Sequence, residues 1–102
     1  MKGVKIMTQC KIIKQEIENT PENRLYAAAD LGEIAYKLYI YLDSYPTFTI
    51  NYERIKFVKT VDTNYKSADK AFQTLLDKGY LIFREEKYFF VSRPEEKTRI
   101  QF

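Results

Sequence analysis

The sequence contains no histidine, a single cysteine, and only three glycines and three prolines. The missing histidine removes the most chemistry. Zinc sites, Ser/His and Cys/His nucleophilic pairs and paired-histidine metal sites all need an imidazole to ligate metal or accept a proton near neutral pH. The isolated glycines build no phosphate-cradling loop, and the Asp and Glu residues are scattered rather than paired, so the expectation is a protein that is not an enzyme and needs no cofactor or metal. Cys10 has no internal disulfide partner, which agrees with a reducing cytoplasm and leaves an intermolecular bridge open. No run approaches the roughly 18 to 20 apolar residues of a membrane span, and the N-terminus lacks the pattern of a signal peptide, so a cytoplasmic location without membrane contact is expected. With little Gly or Pro and no Ser-rich or Gln-rich tract, the chain is expected to be folded nearly end to end, fraying at its termini.

What is present suits one small core. The chain has 102 residues, of which 45% are apolar, enough for a single domain and too few for two. A net charge of +3 favours polyanionic partners only mildly, so its distribution matters more than its sum. Lys2, Lys5, Lys11 and Lys14 fall in an N-terminal stretch with no acid, which reads either as a basic arm or as the solvated face of a packed element.

Along the chain, Val4 to Ile17 fits two templates. Val4, Ile6, Cys10 and Ile12 share a strand face, whereas Ile6, Cys10, Ile13 and Ile17 share a helix face. Thr20 is placed to cap a short helical turn starting at Pro21. Asp30, three residues before Glu33, has the spacing of a capping box and predicts the start of a first helix. Its stripe is Leu31, Ile34, Ala35, Leu38, Leu42 and Tyr45, and it ends by Pro46. Tyr36, Tyr39 and Tyr41 occupy the rest of its circumference, either as a partner surface or packed against the N-terminal segment. Asn51 is expected to cap a second helix, Tyr52 to Val61, with Ile55, Val58 and Val61 inward. Asp62-Thr63-Asn64 reads as a tight turn, because Asp tolerates a left-handed backbone and Asn64 can cap the next helix. This third helix, Tyr65 to Lys78, buries Ala68, Ala71, Phe72, Leu75 and Leu76, and Gly79 takes the left-handed C-terminal cap. Strands Tyr80 to Phe83 and Tyr88 to Val91 then form a hairpin around Arg84-Glu85-Glu86-Lys87, with Leu81, Phe83, Phe89 and Val91 on one face.

Three helices followed by a hairpin form an architecture in which the third helix can enter a major groove. Residues 57 to 81 resemble the winged helix-turn-helix family. Phe57 and Val58 stand at its Leu-Ala pair, Val61 at the last core position of helix two, and Asp62 at the turn glycine. Thr63 and Asn64 stand at the small turn residue and the Ser-type cap, while Ala68, Phe72, Leu75, Gly79 and Tyr80 keep the register. The stretch Leu-Leu-Asp-Lys-Gly-Tyr-Leu at 75 to 81 is similar to the end of the recognition helix and start of the wing. With the first helix the resemblance covers residues 30 to 91, and the aromatic run Ala35 to Leu42 gives it the flavour of bacterial phage and plasmid replication or regulatory proteins. Val58 is bulkier than the family's Ala and Asp62 replaces Gly, which bears on the angle between helices two and three.

The resemblance implies a mainly α fold with a small β-hairpin: a three-helix core plus wing over 30–91, an N-terminal arm or extra element over 1–29 and a C-terminal tail over 92–102. It also implies sequence-specific binding of double-stranded DNA by a transcriptional regulator, replication accessory or partition factor of a mobile element. Tyr65, Lys66, Ser67 and Lys70, with Asp69 and Gln73 one step round, would face the bases. Asn51, Tyr52, Lys56 and Lys59 would contact phosphate at the second helix, and Arg84 and Lys87 at a wing whose two glutamates oppose that role. A homodimer through the N-terminal segment or the first helix's tyrosines is expected, since it doubles the contacts. The alternative is a winged-helix protein-interaction module without DNA, favoured by the modest charge, the acidic wing and the tyrosines.

Overall fold

Alternation of side chains between the two faces of a sheet decides the first element. The computed structural model describes residues 8–94, and the segment that fits both templates is strand β1 (Gln9–Lys14), with Cys10, Ile12 and Lys14 inward and Lys11 and Ile13 outward. Lys2, Val4, Lys5 and Ile6, like the tail from residue 95, lie outside the described residues. The chain continues through helices α1 (Pro21–Asp30) and α2 (Glu33–Asp43), strand β2 (Thr49–Glu53), helices α3 (Arg54–Val61) and α4 (Tyr65–Lys78), and strands β3 (Leu81–Arg84) and β4 (Lys87–Phe90).

This is an α/β fold of four helices on a mixed four-stranded sheet, where the sequence pattern led us to expect mainly helix. The sheet order is β2-β1-β4-β3, with β1 antiparallel to β2 and parallel to β4. β1 is therefore an internal strand with a neighbour on either side, and its Ile12 lies in the same core as Ala27, Leu38 and Phe90. Inward residues from each of the four strands join that core, so the helices cover one face of the sheet, although Phe83 at the end of the hairpin stays exposed.

Several local expectations hold for their stated reasons. The Thr20 hydroxyl accepts the Asn23 N–H at 3.1 Å, and α1 is a full helix beginning at Pro21. Asp62 is left-handed at φ 58°, and the Asn64 side chain accepts the Ser67 N–H at 2.8 Å. Gly79, at φ 89°, lets the Tyr80 N–H reach back to the Leu75 carbonyl at 2.9 Å. Ala68, Ala71, Phe72 and Leu75 are buried on α4.

Others are corrected. Asp30 does not open a helix: it ends α1, where it takes the Tyr80 hydroxyl at 3.0 Å and Lys78 at 3.7 Å, and Gly32 precedes α2 without a side-chain cap. Asn51 caps nothing, because Ile50 and Tyr52 alternate onto the inner face and pair with Ile12 and Cys10, drawing residues 49–53 into β2. On α3 it is Phe57 that is buried, and Ile55 is exposed. In the hairpin Leu81 pairs with Phe90 and Phe83 with Tyr88, so the inward face carries Tyr88 and Phe90 rather than Phe89 and Val91. The two-residue loop sets that register: Glu85 and Glu86 both have positive φ, as a type I′ turn requires, and a one-residue slip would invert β4.

The end of α2 is held by polar groups. Lys14 is only 2% exposed, and its Nζ donates to the carbonyls of Asp43 at 2.9 Å and Tyr45 at 2.7 Å. A cation at a helix C-terminus meets the negative end of the helix dipole as well as carbonyls that lack an intrahelical partner. Asn19 Nδ2 donates to the Tyr39 hydroxyl at 2.9 Å and to Asp43 Oδ1 at 3.0 Å, and the Tyr39 hydroxyl donates to the Ser92 carbonyl at 2.8 Å. Tyr39 is fully buried, edge-on to Tyr80 at 5.5 Å, so of the three tyrosines on this helix it belongs to the core. No helix among the described residues is long and apolar enough to cross a membrane.

Candidate nucleic-acid interface

Helix α4 lies on α2 and α3 through its small and apolar residues, which leaves the opposite stripe to solvent. At 3.6 residues per turn that stripe is Lys66, Lys70, Gln73 and Asp77, and all four are exposed. Its two halves differ. Gln73 Nε2 donates to Asp77 Oδ1 at 2.8 Å, so the C-terminal half is occupied with itself. Lys66 and Lys70 join none of the ion pairs formed among the described residues, and neither does Lys59 of α3. Lys66 and Lys70 thus stand at the first two turns of α4, beside the helix's positive end, where an anion is attracted by both.

Tyr65 begins the helix and is 45% exposed. Its ring carries the Arg54 guanidinium at 4.2 Å from the centroid, and Arg54 Nη1 also pairs with Asp69 at 2.9 Å. Arg54 is further fixed by its own N–H, which donates to the Thr8 carbonyl at 2.9 Å. A guanidinium neutralised in this way is a poor phosphate clamp and a good brace for the tyrosine ring. Sequence reasoning missed Arg54, because no local spacing connects it with a residue of the next helix. Ser67 is half-buried, beside Glu33 and Ile34 of α2 in a recess of about 300 Å³.

The residues expected to bind phosphate are not brought together. Tyr52 is 2% exposed on the inner face of β2, with its ring 5.5 Å from Phe72, and burial raises its phenol pKa; it cannot reach a phosphate. Asn51 is exposed but sits mid-strand, so it offers no helix N-terminus. Lys56 is paired with Glu53 at 3.7 Å. Arg84 and Lys87 pair across the hairpin on the sheet face turned away from the helices, opposite the layer that holds Lys66 and Lys70. Cys10 is half-buried among the inward side chains, and burial pushes its thiol up to about 11. Among the described residues no group of three or more acidic or cysteine side chains is placed to hold a metal ion.

Comparison of the chain with family models, with curated proteins and with solved structures finds no match in any of the three.

Proposed function

We propose that the chain binds double-stranded DNA by setting the first two turns of α4 into the major groove, in the manner of a winged helix whose wing takes no part. The observation that carries this reading is the pair Lys66 and Lys70, which join no ion pair among the described residues, on the outward stripe of a capped helix that follows a tight left-handed turn. Lysine donates to guanine O6 and N7, and the braced Tyr65 offers a ring face to a thymine methyl. Lys59 supplies charge to the flanking phosphates. The wing is left out because its cations lie on the far face of the sheet. So few contacts give a monomer weak binding, and a two-fold dimer would double them.

Selection from a random duplex pool, followed by titration of the preferred site against random duplex, tests the reading. Binding should weaken with salt at a slope of about −0.9 in log K per phosphate contact. Lys66→Ala with Lys70→Ala should lower preferred-site affinity by roughly tenfold or more and random-duplex affinity by less. Equal binding by parent and double variant removes α4 as the reader.

A second reading is favoured by a groove of about 680 Å³ between α2 and α3, lined by Tyr36, Ile40, Tyr41 and Val61. Its largely apolar walls suit a protein segment, either a partner's or a second copy's. Salt-sensitive duplex binding separates the two readings, and light scattering at tens of micromolar decides the dimer.

A further inference from the structure

The sheet face turned away from the helices carries two rows of side chains that neither the core nor α4 uses. In one row Ile13, Phe89 and Ile82 stand in register on β1, β4 and β3, with Thr49 beside Ile13 on β2. All three apolar residues are half-buried and lie outside the core. Two residues along the strands, about 7 Å away, the second row is cationic. Arg84 pairs directly with Lys87 across the hairpin, and Lys11, paired with Asn51, faces Lys87 across a cleft of about 720 Å³.

Like charges placed directly opposite one another in a sheet are destabilising. Glu86 of the turn lines the same cleft as Lys11 and Lys87 but pairs with neither: Lys11, Arg84 and Lys87 join no ion pair among the described residues, and the outward Glu53 is taken by Lys56. Arg84 instead lies over the Phe89 ring, 5.0 Å from its centroid. A ring and the guanidinium lying over it, flanked by further cations, form a platform on which unpaired bases stack, on the guanidinium plane or on the ring, while their phosphates follow the charge. Duplex DNA, whose bases are already stacked, has no use for the ring. A second copy is disfavoured because it would take Lys11, Arg84 and Lys87 out of water with no acid in their row to pair with them, and an acidic peptide would need the cations without the ring.

We propose that this face binds single-stranded DNA, with a base stacked on Phe89 between Ile13 and Ile82 and its phosphates on Lys11, Lys87 and Arg84. The preference for DNA over RNA rests on the duplex reading of α4; the platform itself does not. Glu85 and Glu86 at the turn bound the track, so the strand runs across the sheet rather than over the hairpin tip.

The test is fluorescence anisotropy on the full chain with a labelled thymidine homopolymer of about 20 nucleotides, the uridine homopolymer of the same length, a duplex and a polyglutamate peptide. The thymidine strand should bind with a salt slope of about −2, for three contacts at about −0.7 each. Phe89→Leu, which keeps the apolar bulk and removes the ring, should lower that affinity by about fivefold or more. Lys11→Gln with Lys87→Gln should flatten the slope, and Glu86→Gln should tighten binding, while duplex binding stays at the parental level in all three. Lys66→Ala with Lys70→Ala should leave single-strand binding intact, so that failure of the duplex reading and failure of this one are told apart. The proposal is overturned if the thymidine strand does not bind, or if the uridine strand or polyglutamate binds in its place. It also falls if binding survives both the Phe89 and the lysine changes, or is lost with Lys66 and Lys70 instead. Should Phe89→Leu unfold the protein, the lysine pair decides the same question.

Discussion

The inward row of β1 and the outward stripe of α4 are both regular runs of side chains, and each contains lysine. On β1, Cys10, Ile12 and Lys14 enter the interior; on α4, Lys66, Lys70, Gln73 and Asp77 remain in solvent. Lys14 is withdrawn from water and held by two carbonyls at the end of α2, whereas Lys66 and Lys70 join no ion pair among the described residues. One residue type therefore does two jobs. Buried and doubly bonded it is a structural pin; exposed and outside any ion pair among the described residues it only adds charge to the surface. Residue type and net charge do not distinguish the two, and the partners do.

The largest way to break the contrast is to remove the pin. Lys14→Ala should destabilise the protein by about 3 kcal/mol, since it strips two charge-assisted hydrogen bonds and leaves the Asp43 and Tyr45 carbonyls facing a cavity. Lys14→Met keeps the packed stem and should recover only part of that loss. Urea unfolding measures both, and a methionine variant as stable as the parent would mean that the two bonds contribute nothing.

A second effect of comparable size comes from the same row. Burial raises the Cys10 thiol from its ordinary 9.0 to about 11, so the thiolate available at pH 8 falls about a hundredfold. Alkylation by iodoacetamide should be slower by about that factor in the native protein than in urea. Because the folded value is the higher one, the associated stability is fully present below about pH 9 and is lost as pH rises through about 11. Equal alkylation rates in the two states would show that the inner end of β1 is open to solvent.

The smallest effect lies on the other side of the comparison. Lys66→Ala with Lys70→Ala should change unfolding free energy by less than about 0.5 kcal/mol, because exposed lysines without partners contribute little and alanine is at least as good a helix former. A loss above about 1 kcal/mol would show that these residues support the fold, and would leave α4 without a reading surface independent of stability.

The chain by itself determined whatever is settled within a few residues. The Asn64 cap needs only Ser67, the left-handed turns at Asp62 and Gly79 need only their own backbone preferences, and the 3.6-residue period of α4 separated Ala68, Phe72 and Leu75 from Lys66 and Lys70. The exposed half of the candidate interface was legible for the same reason. Tertiary structure alone decided the rest. Helix or strand was undetermined over residues 4–17 because both patterns satisfied the same apolar positions, and the pairing of Ile12 with Ile50 and Tyr88 resolved it for β1. That pairing also drew Asn51 and Tyr52 away from the expected helix. The brace of Arg54 on Tyr65, the burial of Lys14 against carbonyls 29 and 31 residues away, and the outward row of Ile13, Phe89 and Ile82 have the same origin. Each is a contact between residues far apart in sequence, whose free energy exists only once the chain between them has been ordered, so no local pattern can announce it.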